Sequence, residues 1–282
     1  MATTSNSPKR KLSGPTTASD VFFGTFLQAA RKYLFLPVDK KALFYVVVVT
    51  LVSFFAAYFP PSEGYYLASK GNIFNRYGTK VGWFWTIITV GPFIWLSSYL
   101  HHKNHSEALR HLTRLLVATG VWYFITHTYM HVEKLTGRCV HHESGAPSDR
   151  DQCSLAGGKW APGIDISGHA FMLIYMTLFI SEEARSFINW PNTPKRNINI
   201  SSVKECNEFK MYTNSVQGLF LILFFFHIFW DFQLLITCLF YHDVSHKLIG
   251  AATAIACWAV TYKFWYPLAF PGLPIKRKFK AF

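Results

Sequence analysis

Charge is what this 282-residue sequence has least of. Asp, Glu, Lys and Arg make up 15% of it, where soluble domains carry roughly 25%. A globule with water on all sides and a disordered chain both need more, so both classes are excluded. Cysteine is scarce too: five residues are too few for a disulfide framework in a chain of this length. Acidic residues are outnumbered 15 to 28 by Lys and Arg, giving a net charge of +13. That excess raises a nucleic-acid reading. The basic residues, however, sit between long apolar runs, and no nucleic-acid partner is expected. A cleavable signal peptide is also missing, because residues 1–20 are rich in Ser, Thr, Pro and Lys and the first long apolar run begins well beyond them.

What is abundant is apolar, at 51% of residues, with 18% aromatic. A bilayer core of about 30 Å is crossed by roughly 20 apolar residues in a helix. Six stretches meet that length: 42–59, 81–100, 111–132, 166–184, 216–241 and 248–270. The third is the most polar, holding Arg114, His127 and His131. The expected fold is therefore all-α, a polytopic membrane protein of six transmembrane helices. Residues 1–20 read as a disordered cytosolic tail, 21–41 as a short interfacial amphipathic segment containing Pro37, 42–275 as the transmembrane domain and 276–282 as a basic cytosolic tail.

Six spans place both termini on one side. Of the 28 Lys and Arg residues, 18 fall on that side: seven before the first span, two and five in the second and fourth loops, and four after the last span. Eight fall on the other side, and Arg114 and Lys263 lie within spans. The positive-inside bias puts both termini in the cytosol. Cys139 and Cys153 share the longest non-cytosolic loop, where either a disulfide or two free thiols is compatible with the sequence.

The twelve histidines carry the candidate chemistry. His101, His102 and His105, the pair His127 and His131, and the pair His242 and His246 superficially resemble the histidine boxes of membrane oxidases. The first group, though, falls on the opposite side of the bilayer from the other two, so one metal centre cannot gather them. A second pattern is better placed. Asp165-Ile166-Ser167-Gly168-His169 opens the fourth span, and Tyr241-His242-Asp243-Val244-Ser245-His246 closes the fifth. A helix start attracts an anion through its free N–H groups and dipole. Gly168 permits close backbone approach, Ser167 offers a hydroxyl, and His169 can pass a proton. A second imidazole can then act as nucleophile. The charge count places His169 and His242 on the same side. The pattern resembles the lipid phosphate phosphatase superfamily, with His242, His246 and Gly250 keeping its spacing of four and eight; His246 stands where that superfamily has an acid.

A closer resemblance covers most of the chain. It rests on the run from Asn72 through Asn75, Arg76, Tyr77, Lys80 and Trp83 to Thr86, on Thr136-Gly137-Arg138-Cys139 with Cys153, Gly157 and Trp160 before Asp165 to His169, and on Phe264-Trp265-Tyr266-Pro267 with Phe270, Gly272 and Pro274. Together these resemble the fat storage-inducing transmembrane protein family. The resemblance implies a six-span protein of the endoplasmic reticulum that supports lipid droplet formation. It also implies an acyl-CoA diphosphatase with a lumenal active site, cleaving fatty acyl-CoA to acyl 4′-phosphopantetheine and adenosine 3′,5′-bisphosphate, and His169 and His242 as the catalytic pair. No metal or other cofactor is expected.

A diphosphate needs cations. Arg76, Lys80, Lys134, Arg138 and Lys247 lie on the correct side, and each also reads as a snorkelling interface residue. Lys80, beside a family motif, ranks first, with Asn75 as a further phosphate contact. Asp165 reads first as an N-cap and second as a carboxylate orienting an imidazole. His246 reads equally as support for His242 or as an exposed turn. His227 and Asp231, mid-span in the fifth helix, read first as interhelical glue and second as a ligand or lipid-headgroup contact. The rival reading is a non-enzymatic protein that binds diacylglycerol or triacylglycerol and partitions it into droplets, with the histidines structural.

Overall fold

The protein is described by a computed structural model that covers residues 17–62, 64–102, 104–140, 150–188, 190 and 203–268. The basic tail at 276–282, most of the N-terminal tail, His141, His142 and the motif at 270–274 lie outside the described residues. The fold is all-α, 82% helical, and the one strand pairing among the described residues is a short hairpin.

Helix α1 spans Ala18–Leu34. Thr17 caps it: its hydroxyl oxygen accepts from the Asp20 N–H at 3.2 Å, and the Asp20 carboxylate accepts from the Thr17 N–H at 3.1 Å, a reciprocal capping box. The helix thus begins inside the stretch expected to be tail. Helix α2 spans Val38–Tyr58. It starts directly after Pro37, whose fixed φ and missing N–H suit a helix entrance. The boundary expected at residue 41 therefore falls inside a helix rather than before it.

A π turn at Phe74–Gly78 and a 3₁₀ turn at Thr79–Val81 lead into α3, Gly82–His102. Helix α4, His105–Thr136, is capped by Asn104, whose side chain accepts from the Ser106 N–H at 2.9 Å. Strands β1, Arg138–Val140, and β2, Lys159–Ala161, pair antiparallel around the short helix α5, Arg150–Leu155. Cys139 and Cys153 are joined in a disulfide across this element. Helix α6 spans Gly168–Ala184, α7 Val203–Phe240 and α8 Val244–Ala259, the last running on through a π turn at Val260–Trp265.

Among the described residues, four segments are long and apolar enough to cross a membrane: Val38–Tyr58, Phe74–His101, Lys210–Phe240 and Val244–Trp265. The other two expected spans form helices α4 and α6 without meeting that test. The reason differs between them. Helix α4 carries charged and imidazole side chains along its length. Helix α6 is 17 residues long and sits at the centre, packed by α3, α7 and α8. Phe171, Leu173, Ile174, Met176, Leu178 and Ile180, which point to every side of it, are all buried. A helix apolar all round is a core helix.

Two clusters of buried charged groups are paired inside the bundle. Arg114 forms a bidentate ion pair with Glu183, at 2.7 and 2.8 Å, and the Tyr262 hydroxyl donates to the same carboxylate at 2.8 Å. Deeper in the bundle, His227 Nδ1 lies 3.1 Å from Asp231 Oδ2, and Tyr33 and Tyr45 both donate to that carboxylate. Lys41 and Ser181 bond each other at 2.8 Å and close the cluster on His227 Nε2. His227 and Asp231 are the interhelical glue expected of them, tying α1, α2, α6 and α7 together.

Candidate active site

Helices α4 and α7 end, and α3, α6 and α8 begin, at one end of the bundle. There they enclose a cavity of about 470 Å³, lined among others by Lys70, Asn75, Lys80, Glu133, Asp165, Gly168, His169, Tyr241 and His242. His169 enters from the first turn of α6. Ser167 caps that helix, its hydroxyl oxygen accepting from the Ala170 N–H at 3.2 Å. The Ser167 N–H in turn donates to the His246 carbonyl at 3.2 Å, which ties the start of α6 to the first turn of α8. Gly250 makes that approach possible: a Cβ there would stand 2.6 Å from the Ser167 carbonyl oxygen. The spacing from His242 to Gly250 thus serves packing rather than phosphate contact.

His242 enters from the tight connection between α7 and α8. Its φ is +55°, the one positive φ among described non-glycine residues. A residue with a Cβ pays about 1–2 kcal/mol for this left-handed conformation, and such strain gathers at functional sites where the surroundings enforce it. Here Asp165 contributes to the enforcement, with its Oδ2 3.0 Å from His242 Nδ1. The imidazole and carboxylate pair leaves Nε2 of His242 without a partner among the described residues. The two ring centroids, His169 and His242, are 6.4 Å apart. Burial holds the His242 pKa below its ordinary 6.5; Asp165 opposes this, while Lys70 and His246 add to the lowering. That lowering favours the neutral ring, the form whose free nitrogen can accept a bond or a proton.

His169 Nε2 lies 3.1 Å from Asn75 Oδ1. Asn75, expected as a phosphate contact, lines the cavity, is largely buried and is bonded to the histidine. Lys80 and Gly168 line the cavity as expected, and a Cβ on Gly168 would meet nothing within 4 Å, leaving that wall open to a ligand. Ser167 is fully buried as a helix cap and does not line the cavity. His246 does not line it either, and its Nδ1 lies 3.9 Å from Asp243. Ser167 takes the cap position, and Asp165, the other reading of which was to orient an imidazole, has its Oδ2 3.0 Å from His242 Nδ1. Lys247, a candidate cation, is buried and donates to the Cys238 carbonyl at 2.8 Å.

Lys70, Tyr241 and Glu133 line the cavity beyond the residues the sequence ranked as contacts. Lys70 sits two residues before Asn72 on the same side of the charge count as His169, and that was the available signal. Arg76, Lys134 and Arg138 are not among the lining residues. Among the described residues, no group of three His, Cys, Asp or Glu side chains is gathered as a metal ligand set.

A helical bundle with several segments able to cross a membrane, and with two histidines and two lysines converging on a cavity at one end, is that of a multi-pass membrane protein. The model of the fat storage-inducing transmembrane protein family matches residues 63–262, and the chain belongs to that family. The chain is 36% identical over 277 residues to the acyl-coenzyme A diphosphatase FITM2 of Caenorhabditis elegans, covering 98% of this chain and 96% of that protein. It is 36% identical over 223 residues to the protein of that name from Danio rerio, covering 76% and 79%, and 34% identical over 215 residues to the one from Homo sapiens, covering 74% and 76%. No solved structure matches it.

Proposed function

We propose that this protein is an acyl-CoA diphosphatase of the endoplasmic reticulum membrane. It hydrolyses the diphosphate of fatty acyl-CoA to acyl 4′-phosphopantetheine and adenosine 3′,5′-bisphosphate and thereby supports lipid droplet formation. The observation that carries this reading is the pair of imidazoles 6.4 Å apart across a cavity lined by Lys70 and Lys80. That gap accommodates one phosphorus centre between the two rings.

In the first step His242 Nε2 attacks one phosphorus. The N–P bond forms as the bridging P–O bond breaks, and His169, which takes up a proton when the anionic diphosphate binds beside it, gives that proton to the departing phosphate oxygen. In the second step His169, now neutral, takes a proton from water, whose oxygen attacks the phosphohistidine and frees His242. Asp165 holds the His242 ring and stabilises the positive charge it gains. Lys70 and Lys80 offset the phosphate charge, in a confined site where such fixed charges act strongly.

Six spans, α2, α3, α4, α6, α7 and α8, fit the alternation of helix directions, with α1 lying at the interface; its Val21 and Phe22 are exposed at 58% and 67%. With both termini cytosolic, the cavity faces the lumen. The disulfide between Cys139 and Cys153 on the same side supports that orientation, because the lumen is oxidising.

Purified protein incubated with oleoyl-CoA should release adenosine 3′,5′-bisphosphate, and His169→Ala and His242→Ala should each abolish the release. Full turnover in either variant would overturn the assignment. Neutral-lipid binding that survives both changes, with no hydrolysis by the unaltered protein, would favour the diacylglycerol and triacylglycerol binding reading.

A further inference from the structure

The bonds of Asn75 decide which nitrogen of His169 is free to do chemistry. Its Nδ2 donates to the Lys70 carbonyl at 2.7 Å. A carbonyl can only accept, so the NH₂ end of this amide is fixed there. The other end, Oδ1, can only accept, and it faces His169 Nε2 at 3.1 Å. His169 Nε2 must therefore carry a hydrogen. Nδ1 is left without a protein partner among the described residues.

The amide cannot easily rotate away. Asn75 is 6% exposed and its backbone N–H donates to Asn72 Oδ1 at 2.7 Å. Asn72, 2% exposed, donates through Nδ2 to the carbonyls of Leu67 and Ser69 at 3.1 and 2.7 Å. Tyr241, the neighbour of His242, donates its hydroxyl to the Leu67 carbonyl at 2.9 Å and lies 3.2 Å from Asn72 Nδ2. One hydrogen-bonded loop thus runs from the residue beside His242 to the ring of His169.

We propose that Asn75 is the positioning residue for His169: its amide keeps the proton of the neutral imidazole on Nε2, so that Nδ1 is the nitrogen that exchanges a proton with the substrate. The two histidines then present opposite ring nitrogens to the phosphate, Nε2 from His242 and Nδ1 from His169. A fixed tautomer spares the site a ring flip between donating to the leaving oxygen and accepting from water. This rests on the diphosphatase reading for its chemistry, but not for its geometry.

The test reads the tautomer directly. Protein labelled with ¹⁵N-histidine in nanodiscs should show His169, identified by the signal lost in His169→Gln, as the Nε2–H tautomer. In Asn75→Ala that preference should disappear. In kinetics with oleoyl-CoA, Asn75→Ala should lower kcat by about tenfold to a hundredfold with KM unchanged, a share of the roughly 10²–10⁴-fold that general acid–base catalysis supplies. Asn75→Asp keeps an acceptor opposite Nε2 but loses the donor to the Lys70 carbonyl, so it should recover part of the turnover lost in Asn75→Ala while moving the basic limb of the kcat profile to higher pH. A merely structural asparagine would give no such recovery and no shift. An Nδ1–H tautomer in the unaltered protein, or unaltered kcat in Asn75→Ala, overturns the proposal. Absence of hydrolysis by the unaltered protein sinks the diphosphatase reading instead, and the tautomer measurement still decides the role of Asn75.

Discussion

Asp165 and Lys70 act on the same imidazole with opposite signs, which makes their roles separable. Asp165 accepts from His242 Nδ1–H and raises the pKa of that ring, whereas Lys70 lowers it. The free enzyme needs His242 neutral, so the acidic limb of kcat/KM follows that pKa. Asp165→Asn removes the raising influence and should move the limb to lower pH while reducing kcat, because the ring loses its anchor. Lys70→Met removes a lowering influence and should move the limb to higher pH while raising KM, because a phosphate contact is lost. Profiles of kcat/KM against pH for the two variants check both signs, and shifts in the same direction would contradict them. The sequence exposed His169 and His242 because their residue types and spacing are unusual. It ranked the orienting role of Asp165 second, because a carboxylate just before a helix reads first as a cap, and the fold shows that Ser167 already caps α6.

At the scale of elements, the site depends on how closely α8 approaches the start of α6. Helix-interior glycine normally costs about 1 kcal/mol relative to alanine, so Gly250→Ala would ordinarily stabilise α8. Here the new Cβ would stand 2.6 Å from the Ser167 carbonyl and 3.3 Å from the Phe171 nitrogen, both backbone atoms that cannot swing aside. The two helices must part. Gly250→Ala is expected to destabilise by about 1–3 kcal/mol, the usual cost of overpacking, and to lower kcat because Ser167, Gly168 and His169 shift together. Thermal unfolding in detergent and turnover with oleoyl-CoA measure the two effects. A variant with raised Tm and unchanged kcat would show that the contact does not hold the site. The motif spacing that reaches Gly250 was legible in the sequence. Its purpose was not, since a spacing records that a residue type is needed and says nothing about which neighbour needs it.

Across the whole molecule, the apolar pattern revealed an all-α membrane bundle but overstated its uniformity. Helices α2 and α7 are apolar enough on their own to read as spans. Helix α6 is fully enclosed by its neighbours, and α4 pairs its Arg114 with Glu183 inside the protein, so neither is tuned for contact with lipid along its length. Opposed clusters mark the two ends of the bundle. The histidine cavity lies at one end; Arg114 with Glu183, and Lys263 with Asp39 at 2.7 Å, lie towards the other. In the orientation proposed from the charge count, the cavity end faces the lumen. Two exposed serines report on this: Ser245, beside the cavity at the start of α8, and Ser106, in the first turn of α4 at the far end. In a background of Cys206→Ser and Cys257→Ser, which keeps the disulfide, Ser106→Cys should react with a membrane-impermeant maleimide in sealed microsomes. Ser245→Cys should react only after detergent opens them. The reverse pattern would put the phosphate chemistry in the cytosol and leave the disulfide between Cys139 and Cys153 in a reducing compartment, where such a bond does not persist.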